Sequence, residues 1–271
     1  MDRRRTRRAR ARVGHAAAPR AAAVIPAPGE CHLWLAPVRP RAGWLALLDR
    51  AERERADRLG GTPAGEVFVT SRGAQRLVGS RYLGVPPEAV RTDRSCQACA
   101  GAAHGRPRFV GAARAGLDYS VSHTERWLLI AVTSGGLVGV DIEDLAAVPD
   151  AEGLAGAALT AGERARWAGL PQAERDAWLL TAWTRKEAAM KLTGLGLRAA
   201  PRGLDVRGPA VAAHGVPRWP AGPVLLHSLS APAGHVAALA TTAPLGALRR
   251  FALPDAPAPS RAVGRAAAES G

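Results

Sequence analysis

Two lysines sit within one twelve-residue stretch, WTRKEAAMKLTG over residues 183–194. They are Lys186 and Lys191, and every other member of the 37 Lys+Arg residues is arginine. A chain so biased toward arginine keeps lysine where a compact, strongly hydrated point charge does what a planar guanidinium cannot. Trp183, Glu187 and Lys191 step by four and share one helical face, while Lys186 and Met190 share a neighbouring one. Gly194 and Gly196 supply a left-handed stop. Read by itself, the stretch is also compatible with an amphipathic helix carrying a solvated Glu187–Lys191 ion pair.

A second acidic feature lies upstream in WLLIAVTSGGLVGVDIED, residues 127–144. The run 127–133 reads as a buried strand, Ser134-Gly135-Gly136 as a turn, and 137–142 as a second strand, so the pair is expected to form a hairpin. Asp141 and Glu143 flank Ile142 and therefore face the same way, roughly 6–7 Å apart. Carboxylates at that spacing repel unless a cation lies between them. A hard divalent ion answers this, and Mg²⁺ commonly takes one or two carboxylates together with substrate phosphate. The plainer alternative is a strand running out into a polar loop.

GVDIE, WTRKEAAMK some forty residues later, and SVSHT over residues 120–124 occur in the order and spacing of three signature motifs. With them the chain resembles the 4′-phosphopantetheinyl transferase superfamily, from about residue 52 to residue 196. The long single-chain form is similar to the surfactin-synthetase-activating type, which suggests secondary metabolism. The resemblance implies an α+β fold with two similar subdomains packed about a pseudo-twofold axis, the active site lying in the cleft between them.

It also implies a reaction. The 4′-phosphopantetheine arm of coenzyme A would pass to a serine of an acyl or peptidyl carrier protein, releasing 3′,5′-ADP in a Mg²⁺-dependent step. Asp141, Glu143 and Glu187 would hold the metal. Glu187 is the first choice for general base, and Lys191 and Asp141 join it in the catalytic set. Coenzyme A would meet Arg55, Gly105, Arg106, Pro107, Ser122, His123, Asp141 and Lys191. Arg106 stands where the family's Gly-Lys-Pro motif has lysine.

The positioning elements follow from pattern. Residues 31–35 alternate as a strand, 45–59 form a charged helix, and 67–83 form a second helix with Arg72 and Arg76 on one face. Those two arginines can fork onto a phosphate or face water. Thr160 to Glu163 reads as a capping box, residues 174–192 as a long helix, and 204–206, 224–227 and 236–240 as late strands. The expected division is a tail over 1–29, an N-terminal subdomain over 30–136, a C-terminal subdomain over 137–253 and a second tail over 254–271.

Composition bounds the rest. The 271 residues are enough for a substantial core, and no apolar run of about 18 residues predicts a membrane span. Three cysteines, an odd number, argue against a secreted disulfide scaffold, so the cytoplasm is the expected location; the chain is also expected to be a monomer. Cys96 and Cys99 with His104 make half a zinc site, and zinc is the lesser reading there. Cys31, His32 and His123 are the candidates for a fourth ligand. Residues 1–29, with eight arginines and one aspartate, supply half of the formal charge of +14, and the remaining +7 suits steering of an acidic carrier protein. A nucleic-acid-binding protein, or a Mg²⁺-dependent phosphohydrolase, ranks below transfer, because the first leaves the acid pair and Ser122-His123 unexplained.

Overall fold

The computed structural model describes residues 25–95, 105–147 and 150–253. The tails over most of 1–29 and all of 254–271, together with Cys96, Cys99 and His104, lie outside the described residues. The chain begins with β1 (Glu30–Pro37), α1 (Trp44–Leu47), α2 (Arg50–Leu59) and α3 (Pro63–Leu83). The short pair β2 (Thr92–Asp93) and β3 (Arg108–Phe109) precedes β4 (Leu117–His123), β5 (Trp127–Ser134) and β6 (Val138–Asp144). Then come α4 (Ala151–Ala158), α5 (Ala161–Ala168) and α6 (Gln172–Thr193). The chain closes with β7 (Leu204–Asp205), β8 (Ala212–Ala213), β9 (Leu225–Leu229), β10 (His235–Thr241) and β11 (Ala247–Ala252).

Two sheets organise this α+β architecture. One has the order β11-β1-β5-β4, the other β6-β10-β9. A long helix lies on the outer face of each, so the two halves share a helix-on-sheet plan. Trp34, Val78, Tyr119, Leu128, Ile130 and Val132 form the core beneath α3. Leu179, Ala182, Ala188, Leu192, Ala238 and Ala240 form the corresponding core beneath α6. The inner faces meet in a third cluster, where Leu33, Leu129 and Ala131 pack on Val138, Val140, Ile142 and Leu239. Buried on both faces, β5 needs the continuous apolar run that its sequence shows.

Two local readings change, and one strand is new. Strands β5 and β6 are not a hairpin: β5 pairs with β1 and β4, while β6 pairs with β10. The Ser134-Gly135-Gly136 turn instead carries the chain from one sheet to the other, and the hairpin is β4–β5. The expected helix over 45–59 is split. Asp49 accepts from Glu52 N at 2.9 Å while Glu52 accepts from Asp49 N at 3.2 Å, a capping box that restarts the helix. Last, β11 pairs in parallel with β1, so the closing strand of the chain belongs to the first sheet. Its sequence, ALRRFA, carries two arginines and no alternation that would mark a strand.

Elsewhere the punctuation is as read. The capping box of Thr160 and Glu163 opens α5. Helix α6 ends where Gly194 takes φ 71°, a conformation costly for residues with a Cβ. Among the described residues no helix is long and apolar enough to cross a membrane.

Candidate active site

The two sheets meet edge to edge along β4 and β6, and the contact is made by side chains. Alternate residues of β4 point at the edge of β6. Asp118 Oδ2 accepts from Val138 N at 2.7 Å, Ser120 Oγ from Val140 N at 3.1 Å, and Ser122 Oγ donates to Asp141 Oδ1 at 2.7 Å. An exposed strand edge is thereby satisfied without a backbone ladder. The period-two spacing of Asp118, Ser120 and Ser122 was visible in the sequence as DYSVS.

Helix α6 approaches β6 at Gly139. A Cβ there would stand 1.9 Å from Ala188 O and 2.6 Å from Leu192 N. Only glycine permits this approach, and it brings Lys191 over Asp141. Lys191 Nζ donates to Asp141 Oδ1 at 2.6 Å and to Ser122 Oγ at 2.7 Å. Asp141 is 2% exposed, and its Oδ2 is buried with no hydrogen-bond partner among the described residues.

Glu143 emerges on the same face, half-buried. Its carboxyl is pushed up to about 7, first by burial and then by the charge of Asp141. Glu187 is raised as well, by burial first and by Asp141 second, with Lys191 partly offsetting both. Trp183, on the helical face it shares with Glu187 and Lys191, donates Nε1–H to Glu143 Oε1 at 3.2 Å and so orients that carboxylate.

Three crowded carboxylates and an orphaned buried oxygen fit a hard cation by their chemistry. As they stand, no group of three His, Cys, Asp or Glu side chains among the described residues is gathered closely enough to hold one. The balancing charge beside Asp141 is the Lys191 ammonium.

Beside Lys191 opens a cavity of about 380 Å³ lined by Arg55, Arg72, Arg94, Ser122 and His123. A wider groove of about 480 Å³ continues from it past Arg55, Phe68 and His123 to Leu59 and Val67. Arg55 and Arg72 lie over the Phe68 ring at 5.0 and 5.3 Å, which holds both guanidinium groups in place. Arg94 was not among the sequence candidates. It is anchored through Nη2 to Gln75 Oε1 at 2.6 Å, and Tyr119 OH donates to the same oxygen. His123 stands at the cavity wall, its pKa lowered first by the protein crowding the ring and then by Lys191.

Other candidates fall away from the cavity. Arg76 does not pair with Arg72 around a phosphate. It is buried, donating to Glu52 Oε2 at 2.6 Å, Asp49 Oδ2 at 3.1 Å and Val90 O at 2.6 Å. Arg106 is likewise taken up by the fold rather than turned to the cavity. Its Nη1 lies 2.5 Å from Asp118 Oδ1 and its Nη2 bonds Asp118 Oδ2. It also donates to Val138 O at 2.8 Å and to Lys191 O at 3.1 Å. The guanidinium therefore clamps β4, β6 and the end of α6 together. Gly105 ties its loop to Arg94 O at 2.8 Å, and Pro107 is half-buried beside it.

Lys186 and Lys191 divide their work. Lys186 is wholly buried, 2.5 Å from Glu163 Oε2 and 2.9 Å from both Ala158 O and Pro201 O. It fastens α6 to α5 and to the segment before β7, and touches none of the candidate catalytic groups. Of the residues named as a fourth zinc ligand, Cys31 is buried in β1 with its thiol pushed up to about 12. His32 bonds Tyr82 and faces Glu30.

The sequence profile of the 4′-phosphopantetheinyl transferase superfamily matches residues 137–222, from β6 through α6 and β8 to the approach to β9. A 4′-phosphopantetheinyl transferase, HetI of Nostoc sp. (strain PCC 7120), is 31% identical over 176 residues, covering 62% of this chain and 70% of the relative. This chain belongs to the 4′-phosphopantetheinyl transferase superfamily. A putative member from Synechocystis sp. (strain PCC 6803), slr0495, is 29% identical over 167 residues, or 61% of this chain and 65% of that one. Among solved structures, the holo-[acyl-carrier-protein] synthase of Thermotoga maritima matches 39% of this chain and 61% of its own at 18% identity, with a TM-score of 0.28. That structural likeness is too slight to add weight. Within the transferase matched here, the profile spans Asp141, Glu143, Glu187 and Lys191, while Ser122 and His123 come from the half outside it.

Proposed function

We propose that this transferase moves the 4′-phosphopantetheine arm of coenzyme A onto a serine hydroxyl of an acyl or peptidyl carrier protein, releasing 3′,5′-ADP. The observation that carries the reading is the Lys191–Asp141 contact at 2.6 Å, set at the head of a cavity walled by Arg55, Arg72 and Arg94. Cations so arrayed suit a ligand with several phosphates.

In this reading the arginines and His123 receive the phosphates, and Lys191 turns its flexible ammonium from Asp141 toward them. Asp141, Glu143 and Glu187 would hold Mg²⁺, which when bound neutralises charge gathering on the departing nucleotide. Glu187 takes the proton of the carrier serine, helped by a pKa raised by burial. The serine oxygen forms its bond to the β-phosphorus as the bond to the α-phosphate bridging oxygen breaks. Trp183 keeps Glu143 aimed, and Arg106 keeps Lys191 in place. Coenzyme A is the co-substrate, and a cytoplasmic monomer remains our expectation.

Intact-protein mass spectrometry of an apo carrier protein with coenzyme A and Mg²⁺ tests the reading. A gain of one phosphopantetheine, abolished by a chelator, is expected. No gain on fatty-acid, polyketide or peptide carriers would refute it. Release of 3′,5′-ADP without any carrier would instead indicate a phosphohydrolase.

A further inference from the structure

The side of α6 turned away from Glu187 and Lys191 borders a separate cavity of about 290 Å³. Arg166 of α5, Arg185 of α6 and Arg207 line it, with Trp178, Thr181 and Val206. Their charges are not balanced alike. Arg207 is neutralised by Asp205, 2.6 Å away. Arg166, at the exposed end of α5, makes no ion pair among the described residues. Arg185 is half-buried, and its only hydrogen bond among them runs from Nη2 to Gly208 O, while its Nε is buried with no acceptor. The one carboxylate whose charge reaches it, Glu163, is already held by Lys186.

A guanidinium taken partly out of water without a counter-ion is unusual, since charges removed from solvent are ordinarily paired. We propose that this cavity is a second anion site, separate from the coenzyme A pocket, whose ligand is a phosphate monoester of mononucleotide size. The phosphate would lie between Arg166 and Arg185, where the fixed fork of each guanidinium matches its oxygens. Trp178 and Val206 offer an apolar wall to whatever the phosphate carries. The volume lies at the lower end for small-ligand pockets, enough for one nucleotide and too little for coenzyme A. Thr181 and Arg185 belong to the helix that positions Lys191, so occupancy bears on α6 from behind.

Fluorine NMR of protein labelled with 5-fluorotryptophan reads both sites at once. Trp178 borders the proposed site and Trp183 bonds Glu143 in the candidate active site, and each signal is assigned by a Trp→Phe variant. Inorganic phosphate and adenosine 5′-monophosphate are titrated separately in chloride buffer. The Trp178 signal should shift saturably with both, and more tightly with the nucleotide if the apolar wall is used. Arg185→Gln should weaken the Trp178 response at least about tenfold, and Arg166→Gln by a smaller factor, with Trp183 unaffected. Both variants should melt no lower than wild type in phosphate-free buffer, since each loses an unpaired cation. The proposal is overturned if Trp178 does not move by about 10 mM of either probe. A response unchanged in Arg185→Gln overturns it too, as does a marked loss of thermal stability that makes Arg185 a structural residue.

Discussion

Lys191 Nζ lies 2.6 Å from Asp141 Oδ1, so a cation of the protein itself sits against the most buried carboxylate of the site. A divalent ion approaching Asp141 therefore competes with the ammonium. Lys191→Ala should tighten Mg²⁺ or Mn²⁺ binding to the protein alone, measured by titration calorimetry, while lowering transfer by a factor of about 100 or more. Metal affinity that is unchanged or weaker in the variant would show that Lys191 is not in the ion's way.

The raised pKa of Glu143 sets a pH dependence. Its carboxyl ionises at the ordinary 4.5 when unfolded and at about 7 when folded. The associated stability is fully present below 4.5 and is lost as pH rises through 7. Melting temperature without divalent ions should therefore fall more between pH 5 and 7.5 in wild type than in Glu143→Gln. Added Mg²⁺ should raise it more at pH 8 than at pH 6, because the cation requires the ionised carboxylate. Parallel melting curves for the two proteins would contradict the burial described for Glu143.

Removing the Arg106 side chain leaves Asp118 charged, nearly buried and without its partner. Arg106→Ala should cost about 3–5 kcal/mol in urea unfolding. If the arginine acts by holding Lys191 rather than by touching phosphate, a surviving Arg106→Lys protein should lose kcat while the KM for coenzyme A changes little. A large rise in that KM with kcat intact would return Arg106 to the phosphate-binding set.

Lys186 admits no arginine. Its ammonium is enclosed by Glu163 and backbone carbonyls with no room for a planar group, so Lys186→Arg should destabilise nearly as much as Lys186→Ala. Both should cost about 3–5 kcal/mol by denaturant melts. An arginine variant as stable as wild type would remove the explanation for a lysine at this position.

Gly139→Val should dislodge α6 and abolish transfer while leaving the first sheet intact. Tryptophan fluorescence and a coenzyme A binding assay would follow it. Retained activity would mean that the close approach of α6 to β6 is dispensable.

Much of the site was legible because period and spacing report which way side chains face. Asp141 and Glu143 on one strand face, and Trp183, Glu187 and Lys191 on one helix face, required nothing beyond secondary structure. Partnership was less legible. Which group an arginine meets depends on tertiary neighbours: Arg76, open between phosphate and water in the sequence, pairs with Glu52 and Asp49, Arg106 pairs with Asp118, and Arg94 went unmarked. The β5–β6 turn misled for a related reason. Glycine fixes a change of direction but not which strand will be the partner. Strand β11 had no pattern to read because it is short and mostly exposed: Leu248 packs toward the inter-sheet cluster and Phe251 toward the core beneath α3, with Arg249 and Arg250 between them.

The parallel pairing of β11 with β1 has a consequence for synthesis. Residues 30–37 leave the ribosome long before their neighbour, residues 247–252. One edge of the first sheet stays open until β11 follows, a bare strand able to capture other chains. The first sheet is thus completed only after the second half has been made, and a truncation between α6 and β11 keeps Asp141, Glu187 and Lys191 while leaving that sheet unsealed.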